Sequence, residues 1–202
     1  MRADGTAPLQ APLSARRSER MEKLRVALRD PDPGVRSSAA RSLERLEGRS
    51  DVEHLIARLR DEDKLTRLNA IYGLGALADP GGLPALVEAL RDPVEDIRAA
   101  AVRTLGELRA EVTLDPIVER LDDPSPLVRR HAIEALGRFG DRRVAPVLRS
   151  LLGEAELEIV REALRALGAC RDPAAESEIA GHLEHRDAGV RAAAAEALGL
   201  ID

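Results

Sequence analysis

Residues 90–108 read LRDPVEDIRAAAVRTLGEL, and this stretch decides the fold. One apolar run ends at Leu90, Asp92-Pro93 interrupts it, and a second run with helical spacing begins at Ile97. A proline cannot continue a helix, but it fits the first turn of the next one. The stretch therefore predicts the end of one helix, a tight turn and the start of a second helix.

Variants of this block recur along the chain every 31 residues. Three positions keep the period over six copies: a leucine ending the first helix, an alanine inside the second helix, and a leucine near the end of the second helix. One helix pair cannot bury both of its apolar faces without neighbours. We therefore predict an all-α fold, a right-handed α-solenoid (alpha-alpha superhelix) of about six 31-residue two-helix repeats. The three sets are Leu28, Leu59, Leu90, Leu121, Leu152 and Leu183; Ala39, Ala70, Ala101, Ala132, Ala163 and Ala194; and Leu43, Leu74, Leu105, Leu136, Leu167 and Leu198.

The repeat also predicts the boundaries. Residues 1–17 are rich in Ala, Pro, Ser and Arg and lack helical periodicity, so we predict a flexible N-terminal arm. Residues 18–202 are predicted to form the repeat array. The helix pairs of the array are predicted at about 18–47, 51–78, 82–109, 113–140, 144–170 and 175–201.

The composition disfavours several classes of function. Of the 202 residues, 44% are apolar and 33% charged, which is typical of a folded, soluble chain. A formal net charge of -5 and an aromatic content of 1% disfavour a nucleic-acid binder, which needs basic surfaces and stacking platforms. The single cysteine cannot form an intramolecular disulfide, no signal-peptide pattern is present, and no apolar stretch is long enough to span a bilayer. We predict a cytoplasmic protein with no membrane partner.

The repeat unit resembles a known family. The pattern L-x-D-P-x-x-x-V-R-x-x-A-x-x-A-L-G is carried best by residues 90–106 and 121–137, and it is similar to the short HEAT-like repeat of the PBS-lyase type. The resemblance covers about residues 20–201 and implies the solenoid fold. Members of this repeat class include bilin lyase subunits, deoxyhypusine hydroxylase and bacterial interaction scaffolds, so the resemblance leaves the function open.

The hydroxylase members carry His-Glu directly after the arginine of the repeat in several units, and these pairs hold two irons. In this chain none of the six matching positions holds His-Glu, so we predict no di-iron site. The matching pairs are Ser37-Ser38, Leu68-Asn69, Ala99-Ala100, Arg130-His131, Arg161-Glu162 and Ala192-Ala193.

Other candidate chemistry is sparse. His182 and His185 share a helix face with Glu178 one turn earlier, a set that could hold a metal but is more typical of a solvated surface. Cys170 occupies the register of Leu108 and Phe139, which favours a buried structural thiol over a nucleophile. We predict no catalytic residue, no metal and no cofactor, and the sequence favours a chain that is not an enzyme.

Arginine is the most regular polar residue of the repeat. An acidic residue recurs at the turn between the two helices, within reach of an arginine. We interpret the two rows as a hydrogen-bonded ladder between helices, with a row of ligand-binding arginines as the alternative. The arginines are Arg36, Arg67, Arg98, Arg129 and Arg191, with Val160 and then Arg161 in the fifth repeat; the acids are Asp30, Asp61, Asp92, Asp123 and Glu154.

The side of each second helix opposite its buried arc is the predicted partner-binding surface. Counting about 100° per residue places Val35, Ala39, Leu43 and Leu46 on the buried arc. In stacked HEAT-like arrays the second helix lines the concave side, so the opposite arc is expected to form the inner surface. The predicted partner-binding residues are Arg41, Arg45, Asn69, Tyr72, Arg103, Glu107, Arg130, His131, Glu134, Arg138, Arg161 and Arg165, and the same arc also holds Ser37, Ser38, Leu68, Ala76, Ala99, Ala100, Glu162, Ala169, Ala192, Ala193, Glu196 and Leu200.

Three functions stay open. The favoured one is a non-catalytic scaffold that binds another protein, with an acidic or mixed-charge segment, on this arc of seven arginines and four glutamates, with Tyr72 as an anchor. The alternatives are a lyase-like or chaperone subunit related to bilin lyases, and a nucleic-acid binder that uses the arginine-bearing groove. The apolar end near residues 192–195 also suggests a homodimer through the last repeat.

Overall fold

The computed structural model describes residues 13–201, which form two compact modules. The N-terminal module ends at Glu53 and the C-terminal module begins at His54. Every regular element in residues 13–201 is helical, so the predicted all-α fold is confirmed, and none of these helices is long and apolar enough to cross a membrane. The α-helices are α1 Leu13–Ala27, α2 Pro33–Arg58, α3 Lys64–Leu77, α4 Leu83–Ala89, α5 Glu95–Leu108, α6 Leu114–Val118, α7 Pro126–Phe139, α8 Ala145–Ser150, α9 Leu157–Cys170, α10 Glu176–Gly181 and α11 Ala188–Leu198.

The first helices differ from their predicted bounds. The arm predicted to reach residue 17 gives way to α1 at Leu13, and residues 1–12 lie outside the described residues. The sequence predicts a break between residues 47 and 51, but α2 continues through it. Gly48 is the only helix-weakening residue there, and a glycine without a proline costs a helix only about 1 kcal/mol.

The N-terminal module joins α1 to the first part of α2. The Nη2 of Arg17 donates to the carbonyl oxygen of Leu46 at 2.6 Å, and its Nη1 pairs with Glu53. Ala39 is buried as predicted, but Val35, predicted on the same buried arc, is 42% exposed. Among the described residues of this module, only α1 is available to cover the start of α2, so the position that is a core site in later repeats is exposed here.

The C-terminal module stacks its helices in chain order. The second helices of the repeats (α3, α5, α7, α9 and α11) pack each against the next, and the first helices (α4, α6, α8 and α10) pack against the second helix of their own repeat. Each repeat thus buries the apolar side of its neighbour, which defines an α-solenoid. The fully buried core positions recur with the repeat: Ile97, Val128 and Val190; Ala101, Ala132, Ala163 and Ala194; Leu105, Leu136 and Leu167.

The first helices of the C-terminal module are short. The helices α6, α8 and α10 have only five or six residues, and a 3-10 turn lies on each side of them. Pro84 and Pro146 lie in the first turn of α4 and α8, where a backbone N–H would have no partner within the helix. The 3-10 turns are Pro80–Gly82, Glu111–Thr113, Glu119–Asp122, Arg142–Val144, Leu151–Gly153, Pro173–Ala175 and His182–Glu184.

Four second helices end in the same backbone conformation. The residue after each helix is left-handed: Ala78 at φ 48°, Arg109 at 50°, Gly140 at 62° and Arg171 at 51°. This conformation lets the N–H of the capping residue bond back to the last helical turn, as the N–H of Ala78 does with Leu74 at 3.1 Å. The four caps keep the 31-residue spacing, so each second helix directs the chain into the next repeat in the same way.

Candidate functional site

The second-helix face is the exposed side of α3, α5, α7 and α9 in the C-terminal module. All ten of its predicted partner-binding residues are exposed or half-buried, so each is accessible to a partner. Arg41 and Arg45, predicted on α2, are exposed in the N-terminal module. The ten residues are Asn69, Tyr72, Arg103, Glu107, Arg130, His131, Glu134, Arg138, Arg161 and Arg165.

Three alanines placed on this face by helical angle are buried instead. Ala99 and Ala100 are each 5% exposed, and Ala193 is 1% exposed. Helical angle takes no account of the distance between neighbouring helices. Because these helices approach closely, the one-carbon side chains at these three positions stay inside the contact, whereas Ala76 and Ala192 of the same arc are exposed.

Glycines at one repeat position allow this close approach. A Cβ on Gly106 would lie 2.5 Å from the Cβ and 2.9 Å from the Cα of Ala135, and a Cβ on Gly168 would lie 2.6 Å from the Cα of Ala197. Carbon atoms that are not bonded to each other pack at about 3.5–4.0 Å, so neither position has room for a side chain. The glycines therefore allow the second helices to approach each other closely.

Tyr72 and Arg103 stack on one another at the start of the face. The guanidinium carbon of Arg103 lies 5.2 Å from the centroid of the Tyr72 ring, within cation–π range. The tyrosine remains 43% exposed. The two residues are 31 apart, so the repeat period alone could have predicted this pair.

The positive charges of the face that lack an ion-pair partner in the described residues lie on α5 and α7. The Nη1 of Arg138 lies 3.8 Å from the position that a Cβ would take on Gly106, so this side chain extends across α5. Within residues 13–201, the charged groups of Arg103, Arg130, Arg138 and Glu107 form no ion pair. The net free charge of this group is positive.

The later part of the face is neutralised internally. The Nη1 of Arg165 lies 2.6 Å from Glu162, and its Nε lies 3.7 Å from Glu196. Arg161 pairs with Glu158 and approaches Asp187 at 3.5 Å. The Nδ1 of His131 lies 3.2 Å from Glu134. These predicted partner-binding residues already have partners within the chain.

The predicted arginine ladder is confirmed by its hydrogen bonds. The Nη1 of each arginine donates to two carbonyl oxygens at the end of the preceding first helix, as Arg98 does to Asp92 at 3.0 Å and Pro93 at 3.2 Å. Three arginines also reach a carboxylate of the next repeat. The acidic row differs from the prediction at its fifth member, because Glu156 and not Glu154 accepts from Arg129. The pairs are Arg67–Asp92 at 3.1 Å, Arg98–Asp123 at 2.8 and 2.9 Å, and Arg129–Glu156 at 3.0 Å.

The carboxylate of Asp123 is the most buried of these three acceptors. Its side chain is 1% exposed and that of Arg98 is 12% exposed. Burial raises the pKa of the Asp123 carboxyl, but hydrogen bonds from Arg98 and from the Ser125 N–H outweigh it and leave the pKa below its usual range. The hydrogen bond to Asp123 raises the pKa of Arg98 in turn. The hydrogen bonds of the ladder are thus structural, and Arg67, Arg98 and Arg129 are already paired with carboxylates of the chain.

The sequence profile of HEAT repeats matches residues 52–125 and 83–165, more than half of the chain. The chain belongs to the HEAT-repeat family. The stacked helix pairs and the 31-residue period agree with this assignment.

Solved structures of other repeat proteins resemble this HEAT-repeat chain. The complex of CpcE and CpcF of phycocyanin lyase from Nostoc sp. PCC7120 is 29% identical, with a TM-score of 0.66 over 74% of this chain and 64% of that chain, so this chain spans less than two thirds of that relative. E. coli YibA is 21% identical, with a TM-score of 0.58 over 93% of this chain and 75% of that chain. A designed armadillo repeat protein in complex with the peptide (KR)4 is 20% identical, with a TM-score of 0.59 over 90% and 99%. No curated protein matches the sequence.

Cys170 is expected to be unreactive in the folded HEAT-repeat chain. It is 2% exposed, and burial, together with the carboxylates of Asp141 and Asp172, raises the pKa of its thiol to about 11. Each pKa unit lowers the thiolate fraction tenfold, so labelling by a thiol-reactive dye should be slower by about a hundredfold or more than in denaturant. The Cys170→Ser variant provides the blank, and equal rates in the folded and unfolded chain would show that the thiol is exposed.

His182 and His185 of the last repeat, considered above with Glu178 as a metal-binding set, make contacts within the chain. The rings of His182 and His185 stack with centroids 6.4 Å apart, and the Nδ1 of His182 lies 2.8 Å from the carbonyl oxygen of Glu178. The carboxylate of Glu178 binds Arg149 at 2.7 Å. In the described part of the chain, no three His, Cys, Asp or Glu side chains are placed to hold a metal ion.

Proposed function

We propose that this HEAT-repeat chain is a non-catalytic scaffold that binds an acidic segment of a partner protein on the second-helix face. The observation that carries the proposal is that Arg103, Arg130 and Arg138 have no ion-pair partner in the described residues, and that Arg103 stacks on the half-exposed ring of Tyr72. The guanidinium group binds a carboxylate with two parallel hydrogen bonds, so three free arginines suit a segment with several carboxylates.

Tyr72 supports the proposal as an anchor. Aromatic and arginine side chains are enriched at the centres of protein interfaces, where a few residues supply most of the affinity. Arg103 stacks on the Tyr72 ring, and 43% of the tyrosine remains exposed. The proposed site is smaller than the set predicted from sequence, because Arg161 and Arg165 are paired within the chain.

Similarity also supports a protein partner. The phycocyanin lyase structure contains two different chains in complex, CpcE and CpcF. We also propose a cytoplasmic location, a concave second-helix face and a homodimer through the last repeat. Leu183 at 40% and Leu200 at 43% exposure are apolar side chains that such a dimer would cover, and sedimentation equilibrium would detect it.

Removal of Arg103 and Arg138 is expected to weaken the binding of an acidic peptide. A fluorescein-labelled hexaglutamate peptide serves as the probe, with anisotropy measured at low and physiological salt. We expect Arg103→Ala with Arg138→Ala to weaken binding by about tenfold or more, since each lost charged hydrogen bond is worth about 1.5–3 kcal/mol.

The control removes the same charge elsewhere. Arg142 and Arg186 are exposed and lie in the turns before α8 and α11, off the second-helix face. Arg142→Ala with Arg186→Ala should change the affinity less than about twofold. Equal losses in both double variants would reveal only a general charge effect and contradict the proposed site, as would stronger binding of a DNA duplex of equal charge.

The second candidate is a subunit related to the bilin lyases. The similarity to the CpcE–CpcF complex of phycocyanin lyase favours it. On this proposal, the purified chain mixed with an open-chain bilin shows a saturable change in the visible absorption of the pigment, and the change weakens in the Arg103→Ala, Arg138→Ala variant. An unchanged spectrum would exclude this candidate.

A further inference from the structure

A cleft of about 370 Å³ lies between the fourth and fifth repeats, at the turn between their first and second helices. Its lining combines four aliphatic residues with Pro124, Arg129 and the acidic residues Asp122, Asp123, Glu154 and Glu156. Three of the aliphatic side chains are almost fully buried, and Leu151 is half-buried. A volume above about 300 Å³ lies within the range of ligand-binding clefts in proteins. The aliphatic side chains are Leu121, Ile133, Leu151 and Ile159.

The cleft follows from a change in the turn of the fifth repeat. In the third and fourth repeats, the carboxylates of Asp92 and Asp123 accept the N–H two residues later, at 2.8 and 2.9 Å, and this turns them inward to the ladder. The fifth repeat has Glu154-Ala155 instead of Asp-Pro. The longer side chain of Glu154 accepts no backbone N–H within the described residues. Arg129 of the ladder binds Glu156 instead, whose side chain is 53% exposed. The junction therefore stays open.

The charge of the cleft is negative. Among its carboxylates, Asp123 is paired with Arg98, and Glu156 is paired with Arg129. Those of Asp122 and Glu154 form no hydrogen bond or ion pair within residues 13–201, and both residues are exposed. An aliphatic floor with two unpaired carboxylates at its rim complements a group that is apolar along its length and positive at its tip.

We propose that this cleft binds a lysine side chain of a second protein. The four methylene groups of lysine would pack on the aliphatic floor, and its ammonium group would donate hydrogen bonds to Asp122 and Glu154. This site is independent of the second-helix face, because it selects the opposite charge and lies at the turns between helices. The chain would thus hold an acidic and a basic segment at separate places.

The test is an NMR titration of the full ¹⁵N-labelled chain with the peptide Ac-Gly-Lys-Gly-amide. We expect saturable shifts at the backbone amides of Leu151 and Glu154. The norleucine peptide keeps most of the aliphatic stem and lacks the ammonium group, so it should bind at least about tenfold more weakly. Asp122→Asn with Glu154→Gln should weaken lysine binding by a similar factor, while Arg103→Ala with Arg138→Ala should leave it unchanged.

A second variant closes the cleft without removing charge. Glu154→Asp with Ala155→Pro restores the Asp-Pro turn of the neighbouring repeats, so the new carboxylate should turn inward to Arg129. Lysine binding should then be lost while the thermal midpoint stays the same or rises. Equal affinity for the norleucine peptide, unchanged binding in Asp122→Asn with Glu154→Gln, or wild-type binding in the closed variant would each overturn the proposal.

Discussion

Replacement of Gly106 with valine is expected to destabilise the C-terminal module by about 3 kcal/mol, since a side chain there overpacks the contact with Ala135. A Cβ at this position already lies 2.5 Å from the Cβ of Ala135 and 2.9 Å from its Cα, so α5 and α7 would have to separate. For a chain of this length the thermal midpoint should fall by roughly 6–12 °C. Far-UV circular dichroism during heating measures the change.

Two variants separate overpacking from a general intolerance of substitution. A Cβ on Gly181 meets no atom within 4 Å, so Gly181→Val should cost less than about 0.5 kcal/mol. Gly106→Ala combined with Ala135→Gly moves one methyl group from α7 to α5. If helix contact is the cause, this double variant should be more stable than Gly106→Ala alone. Equal stability would contradict the role given to Gly106.

Replacement of Asp123 with alanine is expected to cost about 3 kcal/mol or more, because it leaves the guanidinium of Arg98 without its carboxylate. The two side chains are only 1% and 12% exposed, so water restores little of the lost interaction. The matched variant is Glu156→Ala at the next junction. The Glu156 side chain is 53% exposed, and an exposed pair of this kind contributes about 1 kcal/mol or less. Denaturant unfolding of both variants gives the comparison, and equal losses would contradict the difference in burial.

The stabilisation by Asp123 should also depend on pH. The pKa of its carboxyl is lowered in the folded chain, so the folded state favours the ionised form. The contribution is therefore fully present above the unfolded pKa of about 3.9 and is lost as the pH falls through the lower folded value. The stability difference between the wild type and Asp123→Asn should narrow over this acidic range, and a constant difference would show that the charge is not responsible.

The repeat period accounts for most of the fold predicted from sequence. Residues 31 apart occupy equivalent places, so the buried leucines, the ladder of Arg67 and Arg98, and the core position of Cys170 all follow from one register. The continuity of α2 was not predictable by this rule, because a weak break such as Gly48 can lie within a helix.

The candidate site was less predictable than the fold. Helical angle correctly selected accessible positions such as Tyr72 and Arg138, but it failed where helix spacing decides burial, as at Ala99. Which arginines are free depends on side chains from other turns and repeats. Arg165 is paired through Glu196, 31 residues later, whereas Arg138 finds no ion-pair partner among the described residues. The sequence does show that the fifth repeat lacks the Asp-Pro of its neighbours. That this leaves a cleft at Glu154 became evident only by comparison with the turns of the third and fourth repeats in the structure.

The ion pairs of the ladder connect neighbouring repeats at three junctions, and they differ in their exposure to water. Arg98–Asp123 is shielded from water between the third and fourth repeats, whereas Arg129–Glu156 is open to it between the fourth and fifth. In a one-dimensional array, local opening spreads from one neighbour to the next and begins where the coupling is weakest. Among the three junctions that the ladder bridges with an ion pair, the one between the fourth and fifth repeats is therefore expected to lose its pair most easily during partial unfolding.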